Sequence, residues 1–278
     1  MLAKKAPTVT RYLNLWRHLE NPGAYLRWKS GLDRREPLEF VLRGGIRVRV
    51  PGKRLVEFKE IVCDDVYRRG FVPGTIRAAA DGRTTIVDIG ANLGVFSLVS
   101  KALYPDATVI GIEPLPGNYA YFRRNLELNP GLGSSVVAVQ AAVAAQAGTL
   151  RLHSHGGDEF PTDATLWSPA AAGGTVFDVE ARTLPDILAD HGLSHVSLLK
   201  LDCEGAEFEI LYRAGREALE RVAAIALEVH EGRGPDENIR ALGPFLCRQG
   251  FTCSLSRRGD FIWAARDPRS LVRADLRP

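Results

Sequence analysis

Apolar residues along the chain change their period twice. Over residues 10–20 they recur at helical spacing, and Val9, Tyr12, Leu13, Trp16 and Leu19 share one face. That stripe predicts an amphipathic helix packed on the rest of the molecule. Asn21-Pro22-Gly23 stops it, and residues 24–29 are expected to form a second short helix. Over 38–50 the period falls to two. Leu38, Phe40 and Leu42 alternate up to Gly44-Gly45, and Ile46, Val48 and Val50 alternate with Arg47 and Arg49, the pattern of a β-hairpin. Residues 57–71 read as partly helical, and a helix over 75–80 is expected ahead of the first buried strand.

From residue 84 onward, strands and helices alternate. Strands are expected at 86–89, 107–112, 135–139, 196–201 and 223–229, with helices at 95–102, 118–129, 184–190 and 236–249. In the helix over 118–129, Tyr119, Phe122, Leu126 and Leu128 are expected to face inward. Such alternation predicts an α/β fold with a parallel sheet. A closing hairpin of 251–255 with 261–265 adds an antiparallel edge. Residues 149–152 are expected to pair with a later strand, and 176–180 to form one. Between them, 153–174 reads as a Gly-, Pro- and Ser-rich loop, long enough for a lid or an acceptor-binding wall. The chain thus divides into a cap (1–74), a main domain (75–268) and a polar, peripheral tail (269–278).

The strongest chemical signal stands where the first buried strand ends. Asp88-Ile89-Gly90-Ala91-Asn92-Leu93-Gly94 turns from strand to helix through a GxxxG spacing. Glycine lets backbone approach a ligand because no Cβ is in the way. The middle glycine of the dinucleotide fingerprint is missing and no Walker lysine follows, which argues against NAD and against a triphosphate. Glu113 ends the next strand about twenty residues on, where a carboxylate can accept both hydroxyls of a ribose; a solvated strand-end acid is the alternative. Asp88, just ahead of the turn, repels pyrophosphate but suits a cationic, amino-acid-like group. S-adenosylmethionine joins these features, with a ribose for Glu113 and an ammonium and sulfonium near Asp88. Ala141 and Ala142, past the third core strand, suit a flat adenine ring or tight packing.

A second cluster follows the strand over 196–201, in which Lys200 interrupts an apolar run. Asp202, Glu204 and Glu207 stand there around Gly205. The carboxyl end of a core strand is the ligand side of an open α/β sheet. Glu207 reads as a helix-capping residue, whereas Asp202 and Glu204 are expected to be functional. The next strand ends at His230, whose ordinary pKa near neutrality makes it the best general base the sequence offers. His153, His155 and Asp158 read as residues of a solvated loop. No metal site is predicted, although a divalent cation on Asp202 and Glu204 stays open as a way to orient paired hydroxyls.

Composition changes this picture little. Of 278 residues, 45% are hydrophobic and 25% charged, an ordinary globular balance. Cys63, Cys203, Cys247 and Cys253 form no CxxC pair, so free thiols in a reducing, cytoplasmic setting are expected. No apolar run is long enough for a signal peptide or a membrane span. Charge is uneven: residues 1–59 hold 14 Lys or Arg against 5 Asp or Glu, and the remainder 22 against 28. The surplus leaves open an anionic partner or a peripheral membrane contact at the N-terminal segment. A solvated basic face is the plain alternative, and no nucleic-acid motif accompanies it.

With VDIGANLGVFS (87–97), GIEP (111–114) and LLKLDCEGAE (198–207) in place, followed by Leu227-Glu228-Val229-His230, the sequence resembles the FkbM family of S-adenosylmethionine-dependent methyltransferases. The resemblance runs over about residues 61–251. It implies a Rossmann-like class I methyltransferase fold, with a seven-stranded, mostly parallel sheet and a C-terminal antiparallel hairpin, here preceded by a helix and β-hairpin elaboration. It implies that Asp88, Gly90 and Gly94 line the cofactor loop, with Asn92 beside the methionine part. Glu113 would bind the ribose hydroxyls, and Ala141 and Ala142 would approach adenine. Asp202 and Glu204 would border the methyl group on the acceptor side, with His230 or Asp202 taking the acceptor's proton. Cys203 stands where the family often has a β-branched apolar residue. Family members largely O-methylate hydroxyls of sugars, polysaccharides or specialised metabolites, releasing S-adenosylhomocysteine. No run like the NPPY or DPPY of base-methylating families is present, which argues against a nucleic-acid acceptor. The alternatives are a non-catalytic cofactor-binding or assembly subunit and an enzyme that uses the same cofactor for another reaction. Oligomeric state is left open, with a homodimer as one option.

Overall fold

The computed structural model describes residues 8–76, 78–79, 82–154, 175–230, 232, 234–256 and 258–272. Helices α1 (Thr8–His18) and α2 (Gly23–Lys29) precede a hairpin of β1 (Leu38–Val41) and β2 (Arg47–Val50), in which Phe40 faces Val48. Helix α3 (Leu55–Val62) then stacks Phe58 on Phe40, with ring centroids 4.1 Å apart. The described residues of this N-terminal segment form no separate core. Leu15, Phe40, Val48 and Phe58 share one buried cluster with Leu93, Val95, Leu98 and Tyr121 of the main domain.

Three expectations for the flanking segments need correction. Helix α1 packs through Leu15, His18 and Leu19, whereas Val9, Leu13 and Trp16 of the expected inward stripe are 71%, 63% and 57% exposed. Polar anchors turn the helix: Arg11 pairs with buried Asp64 at 2.7 Å, and Asn14 Nδ2 donates to the Cys63 carbonyl. The described residues of 75–80 are not helical. Gly74 at φ +79° breaks the backbone, and the Ala79 amide donates to the Arg83 carbonyl in a turn. The tail starts as part of the fold: Leu271 is buried and bridges to Phe71, and the Val72 amide donates to the Ser270 carbonyl.

The main domain begins with β3 (Thr85–Ile89), α4 (Val95–Leu103), β4 (Thr108–Ile112), α5 (Pro116–Glu127) and β5 (Val136–Val139). It continues through β6 (Ala142–Val143), β7 (Gly148–Ser154), β8 (Thr175–Arg182) and α6 (Leu184–Asp190). Then come β9 (Leu198–Leu201), α7 (Glu207–Arg213), α8 (Gly215–Glu220), β10 (Ala224–Glu228), α9 (Ile239–Arg248), β11 (Thr252–Leu255) and β12 (Phe261–Ala265). The central sheet has the order β11-β12-β10-β9-β3-β4-β5. Strands β5, β4, β3, β9 and β10 run parallel, and β12 is antiparallel to both β10 and β11. Strands β3 and β9 are buried throughout and largely apolar, with Asp88 and Lys200 as charged exceptions, because helices cover both faces.

After β5 the chain returns to the other edge of β3, so the direction of strand addition reverses between β3 and β9. Open α/β sheets bind ligands at such a switch point, beyond the carboxyl ends of the strands. A second sheet, β6-β8-β7, stands beside it, with Leu150 facing Val179 and Leu152 facing Phe177 across its antiparallel pair. The loop expected over 153–174 starts later than the sequence suggested, since His153 and Ser154 belong to β7; residues 155–174, with His155 and Asp158, lie outside the described residues.

Candidate active site

Every turn at the switch point is built around a buried charge. Asp88 and Lys200 face each other across β3 and β9, and both are almost wholly buried. Lys200 Nζ reaches Asp88 Oδ1 at 3.0 Å and donates to the Gly90 carbonyl at 2.7 Å, while Ser97 Oγ donates to Asp88 Oδ2. Burial works against the ammonium, but Asp88 and Asp202 outweigh it and hold the Lys200 pKa above its ordinary value. Asp88 therefore anchors the turn from beneath. Its carboxylate is taken up by Lys200 and Ser97 and does not line the cavity, contrary to the expectation that it meets the cofactor's cationic groups.

Above that pair, Gly90 stands at φ +75°, and a Cβ there would come within 1.8 Å of the Asp202 carbonyl oxygen. The two turns, one after β3 and one after β9, touch because this residue has no side chain. Gly94 serves differently. It caps α4 at φ +78°, and its missing Cβ makes room for the ring of Phe122, away from the cavity. Asn92, at φ +51°, donates its amide to Glu113 Oε2, while Glu113 Oε1 accepts from the Leu115 amide and from Asn118. Burial pushes the Glu113 carboxyl up to about 7 against those three hydrogen bonds.

A cavity of about 290 Å³ opens beyond these turns. Gly90, Ala91, Asn92 and Glu113 line one part of it, and Ala141 and Ala142 supply a wall without bulk. The other part is lined by Asp202, Glu204, Glu228 and His230, with Glu60 arriving from α3. Sequence reasoning placed eight of its ten site residues here; Asp88 and Gly94 support the turn from outside the lining. The residues fit the cofactor. Asn92 Oδ1 is buried and accepts no hydrogen bond among the described residues, which leaves an acceptor for a donor group of the methionine part.

The acidic end of the cavity is organised by Glu207. This wholly buried carboxylate accepts from the Cys203 and Gly205 amides, as a capping residue should, and also holds His230 Nδ1 at 3.0 Å. That contact turns Nε2 toward Glu204, 3.7 Å away. Burial disfavours the imidazolium, but Glu207, Glu204 and Asp202 outweigh it and raise the His230 pKa to about 10. The expected base near neutrality is thus a strongly proton-holding group in this setting. Burial, with Asp202 adding repulsion, pushes Glu228 up to about 8, and burial pushes Glu60 up to about 7.

Tyr67 escaped the sequence reading as a site residue. Its hydroxyl donates to Asp202 Oδ2 at 2.6 Å, across 135 positions of sequence, while its ring packs edge-on to Phe96 and Phe261. Nothing in the local pattern signals that contact. Lys200 did carry a signal, because a lysine inside an otherwise apolar buried strand has to find a partner.

The sheet order, the glycine turn after β3, the acid at the end of β4 and the acidic edge after β9 define a class, the S-adenosylmethionine-dependent methyltransferases with a Rossmann-like fold. Residues 88–253 match the family described as the Methyltransferase FkbM domain, and the chain belongs to that family. It is 34% identical over 213 residues to methyltransferase sdnD of Sordaria araneosa, an overlap covering 66% of this chain and 78% of that protein. It is 29% identical over 230 residues to the 31-O-demethyl-FK506 methyltransferase FkbM of Streptomyces tacrolimicus, covering 70% of this chain and 80% of that one. Among solved structures, the methyltransferase FkbM from Methylobacillus flagellatus KT matches with a TM-score of 0.46 at 15% identity, over 77% of this chain and 54% of that one. The present chain thus spans about half the length of that protein.

Proposed function

We propose that this methyltransferase acts on oxygen, methylating a hydroxyl of a sugar, polysaccharide or specialised metabolite. The observation that carries this reading is the Glu207–His230 pair, which aims a ring nitrogen into the cavity that the Gly90 turn and Glu113 also line. S-adenosylmethionine supplies an electrophilic methyl group on a sulfonium. Asn92 and Glu113 hold the cofactor's polar parts, and Ala141 and Ala142 border its base. The protein's remaining task is to hold the acceptor oxygen in line and take its proton. His230 Nε2 takes it, with Glu207 orienting the ring and stabilising the imidazolium that forms. The Streptomyces relative, whose name specifies a 31-O-demethyl substrate, supports methylation at oxygen. The four free thiols suit a reducing, cytoplasmic setting.

A second reading rests on the grouping of Asp202, Glu204 and His230, whose donor atoms lie within 4.8 Å of one another. One divalent ion there would polarise the hydroxyl, and His230 would be its ligand instead of the base. Label transfer from methyl-labelled S-adenosylmethionine to a panel of hydroxylated acceptors, followed against pH, separates the readings. With His230 as base, kcat/KM rises with pH through the alkaline range, because the neutral imidazole gains population up to about 10. E207Q moves that limb toward neutrality, H230Q abolishes it, and chelation has no effect. Loss of turnover on chelation, restored by magnesium or manganese, selects the metal reading. Label on nitrogen or carbon, or release of methylthioadenosine, overturns O-methylation.

A further inference from the structure

The outward face of α1 is apolar where a surface helix is ordinarily polar. Val9, Leu13 and Trp16 stand at positions i, i+4 and i+7 and are 71%, 63% and 57% exposed. Tyr12 lies between them in the same stripe, and Lys29 at the end of α2 donates to its hydroxyl and sits over its ring. A run of exposed apolar side chains on one helix face marks an interaction surface.

The charge around that stripe is one-sided. The sequence has no acidic residue before Glu20, and carries Lys4, Lys5, Arg11 and Arg17 in that span. Exposed Arg17 flanks Trp16, and exposed Arg43 donates to the Trp16 carbonyl. Nearby acids are already engaged. Asp64 is buried against Arg11, Asp33 holds Arg35, and Glu20 accepts from the Gly44 and Gly45 amides. Among the described residues, what faces outward is therefore a tryptophan and a leucine with exposed Arg17, Lys29 and Arg43 beside them.

We propose that this face of α1 docks on an anionic lipid bilayer. An amphipathic helix with tryptophan and leucine on one side and basic residues beside them lies in the headgroup plane. The apolar side chains enter the acyl boundary, and the cations meet anionic headgroups over a distance limited by salt screening. Lysine and arginine stems lie along the boundary while their heads stay in water. Helix α1 packs on α3, and α3 contributes Val56, Glu57, Glu60 and Ile61 to the cavity. Docking through α1 thus brings to the bilayer the same cap that walls the active site. This surface is independent of the chemistry proposed for the cavity.

The test is co-sedimentation of the full chain with phosphatidylcholine vesicles that contain phosphatidylglycerol, against phosphatidylcholine alone. Cofactor affinity, melting temperature and oligomeric state are measured alongside. The wild type should bind the anionic vesicles in low salt and release in high salt. L13S/W16S should weaken partitioning by about tenfold or more, since binding scales with the apolar area inserted. R17E should weaken it while leaving the apolar stripe intact. Both should keep the melting temperature and cofactor affinity of the wild type, because the substituted side chains are exposed. Absence of binding to anionic vesicles, or binding that L13S/W16S leaves unchanged, overturns the proposal. So does a wild-type dimer that L13S/W16S dissolves, which would make a second copy of the chain the occupant.

Discussion

Gly90 and Gly205 both sit at positive φ, at +75° and +104°, yet the space around them differs. A Cβ on Gly90 meets the Asp202 carbonyl at 1.8 Å, whereas nothing lies within 4 Å of the corresponding position on Gly205. G205A should therefore cost little beyond the left-handed backbone conformation, about 1–2 kcal/mol. G90A meets the same backbone cost and also forces the turns after β3 and β9 apart. Cofactor affinity in G90A should fall by about tenfold or more, with a drop in melting temperature larger than in G205A. Calorimetric titration and thermal melts on the two variants measure both effects. The GxxxG spacing made Gly90 visible in the sequence. That Gly90 serves turn-to-turn contact and Gly94 serves Phe122 depends on neighbours that no local pattern records.

At the level of single elements, hydrophobic period located helices better than it oriented them. Helix α5 was expected to turn Tyr119, Phe122, Leu126 and Leu128 inward; Phe122 is buried and Leu126 packs on the core, but the rest of the buried face is Asn118, Tyr121 and Asn125. Two asparagines displace the apolar pattern because each makes buried hydrogen bonds that an apolar side chain cannot make. Asn118 donates to Glu113. Wholly buried Asn125 donates to the Leu93 and Arg49 carbonyls and accepts from the Arg49 amide, fastening the β2 strand to the cofactor loop. N125L keeps the volume but leaves those backbone groups unpaired, and chemical denaturation should show a loss of about 2–4 kcal/mol. The same competition turned α1, where Arg11 and Asn14 reach Asp64 and the Cys63 carbonyl and push the apolar stripe outward.

Across the whole molecule, a short contact couples the N-terminal third to the acidic edge of the cavity. Tyr67 donates to Asp202 from a segment that precedes the first strand of the main sheet. Y67F retains the ring packing against Phe96 and Phe261 and removes only that hydrogen bond. Turnover should fall by about tenfold, the equivalent of one hydrogen bond to a charged group, while cofactor affinity changes far less. Separate measurement of kcat and cofactor Kd checks this split; an equal loss in both would mean that Tyr67 only supports the fold. The cap also brings Glu60 to the cavity, so part of the lining comes from residues that the family match over 88–253 does not include.

The sequence by itself determined what is local or periodic in this protein. Alternating strands and helices, the glycine turn, and acids at fixed distances beyond buried strands are written in short windows, and they were enough for the α/β class, the turn at the switch point and the edge where Asp202, Glu204 and His230 meet. Tertiary structure alone decided what depends on partners far along the chain. Lys200 neutralises Asp88 from another strand, Glu207 raises the His230 pKa, Tyr67 reaches Asp202, and polar anchors set which face of α1 is buried. The physical reason is that a buried polar group is tolerated only with a partner, and the identity of that partner follows from packing, which sequence spacing does not encode.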